Sequence, residues 1–406
     1  TIRSNADPTR RSRLELADIV RALLRPAGYG GQAGVDRLGP LSSVQAQALR
    51  AIADCRTAAL GGHVLKCEEC GHRENSYNSC RNRHCPKCGG LEKARWLAAR
   101  RADLLPVEYH HVVFTIPEEL HPIFLAHAKF AIDALFAAVS ETLQEVALNP
   151  KRLGARIGFT AVLHTWTQTL LFHPHVHCIV PGGGPSPTGD LWISAKRGFF
   201  LPVKILSTVF RGKLLSKLEA ATGRGKLPKT AIELLVQASR KKWVVYSKPP
   251  VAGPEQVLDY LGRYTHRVAI SNDRLVSLED GCVTFRWKDR ARGNQQKLLA
   301  LPIAEFLRRF LLHVLPRGLM RIRHYGFLAN AVRRRKVARC RELLSVPNAK
   351  DGADREETPQ TWQEELFRLT GRDVTVCPKC HAGRLLEEEI LPRSRRFQIP
   401  GRSTSP

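Results

Sequence analysis

Residues 173–177 read His-Pro-His-Val-His. In an extended strand alternate side chains share a face, so His173, His175 and His177 converge on one side of a sheet. A lone histidine on such a face is usually a satisfied core residue, but three of them without a metal leave several ring nitrogens in need of partners. The spacing therefore points to a metal site. His164 and Gln168 share a face of the preceding strand with Trp166 and lie across the hairpin, so either supplies a further ligand. Imidazole combined with an amide or water oxygen is compatible with Mg²⁺ or Mn²⁺ and less diagnostic of zinc. Pro174 bends the start of the strand, which makes His173 the weakest of the trio.

A second set of ligand types lies upstream. Cys67-x2-Cys70 and Cys85-x2-Cys88 are separated by 14 residues, the pattern of a zinc ribbon or knuckle in which each turn supplies two thiolates to a tetrahedral ion. Cys55, His63, Cys80 and His84 interleave with these four, and eight ligands in that order suit a cross-braced pair of zinc ions. The plainer alternative makes Cys55 and Cys80 core residues and the two histidines solvated. Zinc here is structural, because no coordination position is left for water. Cys377-Pro-Lys-Cys380, followed by His381, is half a site whose remaining ligands are not evident. Cys178, Cys282 and Cys340 stand apart and read as plain buried thiols. In a chain this long, eleven cysteines clustered in pairs indicate metal binding in a reducing compartment rather than disulfides.

The third set is Asp259-Tyr260-Leu-Gly-Arg263-Tyr264-Thr-His266-Arg267. Tyr260 and Tyr264 are four apart and so share one face of a helix. Two tyrosines alone would read as core. Flanked by Arg263, His266 and Arg267, in a chain with only seven tyrosines, they suit phosphate chemistry.

The elements that must position these residues follow from pattern and punctuation. Helices are expected over about 12–26, 43–57 and 91–104, the last with Arg95, Arg100 and Arg101 outward. Tyr109–Ile116 is β-branched and aromatic, a strand that stops at Pro117. A long amphipathic helix over 121–147 precedes strands at about 155–168 and 172–180, close enough to pair as an antiparallel hairpin. Residues 181–190 read as a loop. Helices over 202–221 and 228–238, a strand at 242–247 and a helix through Tyr264 come next. Short strands near 274–278 and 282–287 meet at Glu279-Asp280-Gly281, a hairpin signal. Helices at 302–314 and 326–344 carry much of the positive charge, and 346–360 reads as a polar linker.

The 406 residues include 64 Lys and Arg against 37 Asp and Glu, a formal net charge of +27. That excess implies a polyanionic partner, since each phosphate contact releases counterions. A membrane surface is disfavoured, because no stretch of 18 apolar residues and no lipidation signal is present. Thr1–Arg13 is polar and basic with no signal-peptide pattern, so a cytoplasmic, nucleoid-associated location is expected.

Taken together, the His175-Val176-His177 strand and a downstream helix with two tyrosines resemble the HUH single-strand endonucleases. More closely, the chain resembles the two-tyrosine rolling-circle insertion-sequence transposases, through Cys55–Cys88, Tyr109–Pro117, Gly182–Gly184 and Pro316–Asn330, over roughly residues 50 to 345. The resemblance implies an α+β fold: a helical, zinc-binding amino-terminal domain (1–105), a catalytic domain (106–290) built on an antiparallel ferredoxin- or RRM-like sheet with helices on one side, basic helices (291–345), and a linker, small CxxC module and basic tail (346–406). It also implies Mg²⁺ or Mn²⁺ on the histidines, Tyr260 or Tyr264 as nucleophile, Arg263 and Arg267 as supporting cations, structural Zn²⁺, and single-stranded transposon ends and target as the DNA, with homo-oligomerisation left open. Two other readings stay open. One is a non-catalytic zinc-dependent DNA-binding protein. The other is a metal-dependent phosphodiesterase that uses water.

Overall fold

The structure, a computed structural model, describes residues 14–24, 36–251, 256–257, 262, 268–289, 292–345 and 361–394. Helix α1 (Leu16–Leu24) buries Leu16, Ile19, Val20 and Leu23, the three- and four-residue spacing of one helical face. Helix α2 (Ser43–Asp54) begins at a capping box, in which the Gln45 N–H donates to Ser42 Oγ and the Ser42 N–H donates to the Gln45 side chain. Strands β1 (Gly62–Cys67) and β2 (Arg73–Tyr77) form an antiparallel hairpin. Helix α3 (Gly90–Arg101) then leads to β3 (Tyr109–Thr115).

The central unit continues through α4 (His121–Ala126), α5 (Ala128–Leu148), β4 (Phe159–Trp166) and β5 (Phe172–Pro181). Residues 181–194, expected to be a loop over most of their length, instead hold the small hairpin β6 (Gly183–Pro185) and β7 (Trp192–Ser194). Helices α6 (Val203–Gly223) and α7 (Ala231–Ser239) and strand β8 (Val244–Val251) follow. A separate three-stranded sheet comprises β9 (Leu275–Glu279), β10 (Cys282–Asp289) and β11 (Gln295–Pro302). The chain closes with α8 (Ile303–Leu311), β12 (Ile322–Tyr325), α9 (Arg333–Leu343), α10 (Trp362–Thr370) and β13 (Leu385–Leu391).

The main sheet is antiparallel throughout, in the order β12-β4-β5-β3-β8. Strand alternation divides its side chains cleanly. Val112 and Phe114 of β3, Ala161 and Leu163 of β4, and Val176, Cys178 and Val180 of β5 enter the core beneath α5, α6 and α7. Helix α6 supplies Leu206, Phe210, Leu214 and Leu218 at four-residue intervals, and Phe210 meets Phe114 and Trp243 edge to face. The alternate residues, including His111, His164, His175 and His177, face the other way.

A second core joins distant parts of the chain. Leu16, Leu23, Leu49 and Ile52 of α1 and α2 pack with Phe285 of β10 and with Phe306 and Phe310 of α8. The carboxy-terminal strand β13 pairs antiparallel with β1, giving the order β13-β1-β2, so the expected separate CxxC module is built into the amino-terminal sheet. Arg100, expected outward on α3, is turned inward to Asp103, 3.0 Å away, while Asp103 also meets Arg333 of α9 at 3.1 Å. Of the isolated thiols, Cys178 and Cys340 are buried but Cys282 is only half-buried.

Two consequences for stability follow. Gly326 has φ +60°, and a Cβ there would stand 1.8 Å from the Ile157 carbonyl oxygen. Gly326→Ala should destabilise the fold by more than the roughly 1–3 kcal/mol of a left-handed non-glycine residue, seen as a lower urea midpoint. His313 is 2% exposed and held between Thr165 Oγ1 and the Leu170 carbonyl; burial pushes its pKa down from 6.5 to about 4. The unfolded chain therefore binds more protons between those values, so this stabilisation is complete above pH 6.5 and is lost as pH falls toward about 4. Urea midpoints measured across that window should fall with pH, and less so in His313→Gln.

Candidate functional site

Antiparallel register brings the imidazoles together. His164 of β4 lies directly across from His175 of β5, and His177 is two residues further along β5 on the same face. Their ligand nitrogens all lie within 4.8 Å of one another. Ring centroids are 4.5 Å apart for His164 and His177, and 4.8 Å for His175 and His177. His164 is 4% exposed and His177 8%, so the cluster is open mainly on the side of His175. His164 is also stacked on Trp166, with centroids 4.6 Å apart.

Neighbouring groups orient the rings. His175 Nδ1 donates to the His173 carbonyl at 2.6 Å, which leaves Nε2 as the ring's lone-pair atom. His177 Nδ1 lies 2.8 Å from Nε2 of His111, on β3, and the two rings are stacked. This is the arrangement in which an outer imidazole fixes the orientation and tautomer of a ligating one. Burial pushes His111 down to about 3 and holds His177 well below its ordinary value, so both rings are neutral at pH 7 and keep the lone pairs that a cation needs. The donor set therefore fits a divalent ion held by His164, His175 and His177.

The other expected ligands are placed elsewhere. His173 lies beside both His175 and His121, with ring centroids 5.4 and 6.3 Å apart, but is not one of the three that come within ligand range of one another. Strand β4 ends at Trp166, so the alternation that would aim Gln168 at the histidines stops short of it; its carbonyl instead accepts from Arg274. Sequence reasoning missed His111, which it treated as part of an unremarked strand, and Lys248, which β8 sets directly across from His111.

Tyr260, Arg263, Tyr264, His266 and Arg267 lie outside the described residues. Two neighbours of that segment are described. Val257 is buried with Tyr109 and Ile179, against Trp96 and Leu97. A Cβ on Gly262 would meet the Lys93 and Leu97 side chains at 3.1 and 3.2 Å. Tyr109 and Ile179 are on the histidine face of the sheet, so Val257 packs on that face and helix α3 lies beside it.

The thiols form two clusters, in a grouping that spacing alone did not indicate. Cys55, Cys80, Cys85 and Cys88 make one, and Cys67, Cys70, Cys377 and Cys380 the other. The two CxxC turns of the amino-terminal segment thus belong to different clusters, because β1 and β2 carry the first turn away to meet the carboxy terminus. His63 is drawn off to Glu387, 2.7 Å away on β13. His84 is half-buried, its Nε2 lacking a hydrogen-bond partner among the described residues, and it is excluded from a cluster that four cysteines already complete. In the first cluster Cys88 Sγ lies 3.4 Å from Cys55 Sγ and 3.6 Å from Cys80 Sγ, near the roughly 3.8 Å sulfur separation of a tetrahedral zinc thiolate site. Hydrogen bonds among the four thiols lower Cys88 and Cys55 and raise Cys80 and Cys85, so the sulfurs share a proton inventory that a bound metal ion would displace.

An open cleft of about 3960 Å³ runs beside this cluster, lined in part by Arg50, Arg56, Arg81 and Lys87. Arg56 and Arg81 immediately follow cluster cysteines and adopt φ of +57° and +51°. On α9, Arg334, Arg335, Lys336 and Arg339 are exposed while Val337 and Cys340 are buried, an apolar stripe beneath a cationic face. Among the described residues no helix is long and apolar enough to cross a membrane.

Converging imidazoles, clustered thiols and basic surfaces define a metal-handling protein suited to a nucleic acid. Comparison with known proteins gives the particular family. Residues 158–336 match a family model described as "Putative transposase", and residues 31–116 match one described as "Transposase zinc-binding domain". The chain is 50% identical over 394 residues to "Putative transposase y4qJ" of Sinorhizobium fredii (strain NBRC 101917 / NGR234), covering 94% of this chain and 96% of that protein. It is 27% identical over 325 residues to the transposase for insertion sequence element IS801 of Pseudomonas savastanoi pv. phaseolicola, covering 76% of each. No solved structure matches. The chain belongs to the two-tyrosine, rolling-circle family of insertion-sequence transposases with an amino-terminal zinc-binding domain, and its function is DNA transposition.

If His111 orients His177 as described, His111→Ala should weaken Mn²⁺ binding by about 10–100-fold, measured by calorimetric titration, with the fold retained.

Proposed function

We propose that this transposase nicks and rejoins single-stranded DNA at transposon ends through a 5′-phosphotyrosine intermediate. The observation that carries the reading is the convergence of His164, His175 and His177 on a sheet face where Val257, just before the two-tyrosine segment, is also packed. A divalent ion held by these three imidazoles would polarise the scissile phosphate. Of the two ions expected, three nitrogen donors suit Mn²⁺ better than Mg²⁺, which favours oxygen.

The chain's own groups supply the rest. The phenolic oxygen of Tyr260 or Tyr264 attacks phosphorus, the bond to the 3′ oxygen breaks, and that oxygen takes up a proton to leave a 3′-hydroxyl. The phosphodiester is conserved as a phosphotyrosine link, so attack by a 3′-hydroxyl reseals the strand without an outside energy source. A free phenol, with a pKa of about 10, is a weak nucleophile at neutral pH. Arg263 and Arg267 are the nearest cations in sequence to favour its anion. Lys248 adds a positive charge to the histidine face. Tyr246, which shares a row of the sheet with Val113 and His177 and is 52% exposed, offers an aromatic surface on which an unpaired base can stack.

The first thiol cluster fits a structural zinc ion bound by Cys55, Cys80, Cys85 and Cys88. Its fixed turns set Arg56 and Arg81 along the basic cleft, and with α9 they would hold phosphates without reading sequence.

The test is incubation of the purified protein with labelled single-stranded DNA from an element end, with and without Mn²⁺ or Mg²⁺, resolved on denaturing gels. A protein-linked DNA band should appear only with metal and fall by on the order of 10³-fold or more in Tyr260→Phe/Tyr264→Phe. Free 5′-phosphate products that survive the double substitution would mean hydrolysis by water. Bound but uncut DNA would mean a binding protein.

A further inference from the structure

The second thiol cluster lies partly beyond both family matches, which end at residues 116 and 336. Cys67 and Cys70 end strand β1 and open its turn, and Cys377 and Cys380 sit in the turn before β13. They come within ligand range across more than three hundred residues of sequence. Cys67 Sγ lies 3.7 Å from Cys380 Sγ, and Cys70 Sγ lies 3.8 Å from Cys377 Sγ. Those separations match the edge of about 3.8 Å expected for a tetrahedral ion with zinc–sulfur bonds near 2.3 Å, and they are far too long for disulfides, whose sulfurs sit about 2.05 Å apart.

The backbone around the four sulfurs is arranged for thiolates. The N–H groups of Cys70, Lys379 and Gly383 point at Cys67 Sγ, Cys377 Sγ and Cys380 Sγ, at 3.5, 3.4 and 3.4 Å. The two turns are alike: the residue after the second cysteine of each, Gly71 or His381, has φ of +66° or +58°. At Gly383 the approach is so close that a Cβ would stand 2.6 Å from Cys67 Sγ. N–H donors at CxxC turns stabilise the anionic form.

We propose that Cys67, Cys70, Cys377 and Cys380 bind a second zinc ion, which clasps the carboxy-terminal segment 361–394 onto the amino-terminal zinc-binding domain. The clasp reinforces the pairing of β13 with β1. It also anchors α10, whose Glu365 meets the Arg95 guanidinium of α3 in a two-pronged ion pair. Helix α3 in turn stacks Trp96 on His324 and borders Val257, so the clasp steadies the element beside the histidine face. The proposal concerns metal binding and does not depend on the reaction drawn for the histidines.

The experiment is zinc content of the full-length protein after exhaustive dialysis, measured by mass spectrometry of the metal. His175→Ala/His177→Ala serves as background, so that the histidine cluster contributes nothing. That protein should hold two zinc ions per chain, and adding Cys377→Ser/Cys380→Ser should leave one, while adding Cys340→Ser should leave two. A background protein with a single zinc, or two ions retained after Cys377→Ser/Cys380→Ser, overturns the proposal. A second measurement avoids cysteine substitutions altogether. Cys70 is exposed, so burial cannot shield it, and zinc should slow its alkylation by about tenfold or more relative to chelated protein. Equal rates with and without chelator overturn the proposal equally well.

Discussion

The antiparallel register that sets His164 across from His175 is the contact on which the rest of the molecule turns. Because a strand alternates sides at every residue, this one pairing sends His164, His175 and His177 to the same face and Leu163, Val176 and Cys178 to the opposite one. A slip of one residue would bury the imidazoles under α5 and α6 and expose the core. The hydrophobic demand of those helices therefore holds the chemistry in register. Phe114, Phe210 and Trp243 interlock on the far side, and the apolar packing they provide anchors the strands that carry the three histidines on the near side.

A histidine face that must admit a substrate cannot be sealed as the other face is. It is bordered by elements drawn from both ends of the chain. Helix α3 comes from the zinc-binding domain, and its flank is held by Asp103 between Arg100 and Arg333, by Arg341 reaching the Leu104 carbonyl at 3.2 Å, and by Glu365 on Arg95. Apart from Arg100, the partners in these pairs lie more than two hundred residues apart in sequence. Such long-range fastening holds the elements beside the histidine face in place.

What could be read from the sequence follows the reach of each interaction. The His-Pro-His-Val-His spacing encodes its own geometry, because strand periodicity acts over two residues, and His164 follows from a short hairpin. His111 did not show itself, because its bond to His177 spans 66 positions and its own strand looks like ordinary β-branched sequence. Gln168 misled because the alternation was carried two residues past the end of β4. The thiols misled for a related reason. Nearness in sequence paired Cys67-Cys70 with Cys85-Cys88, whereas the folded chain pairs the first turn with Cys377-Cys380 through β13. That strand, Leu-Leu-Glu-Glu-Glu-Ile-Leu, has no apolar alternation to announce it, and the four residues of β12 are too few for any periodic signal.

The distribution of charge completes the argument. A net charge of +27 spread evenly would bind any polyanion indifferently and would oppose compaction by self-repulsion. Here some of the cations are tied up in contacts with the rest of the fold. The guanidinium of Arg83 donates to the Leu315, Pro316 and Leu319 carbonyls, and Arg321 is lowered to about 10 by burial. Four exposed cations line up on α9, and in the cleft beside the first thiol cluster Arg56 and Arg81, each just after a cluster cysteine, occupy left-handed turn positions. Thiol-bearing turns therefore do more than hold the chain together. They fix the backbone at Arg56 and Arg81, so under the proposed function the elements that stabilise the amino-terminal domain would also set where phosphates are received.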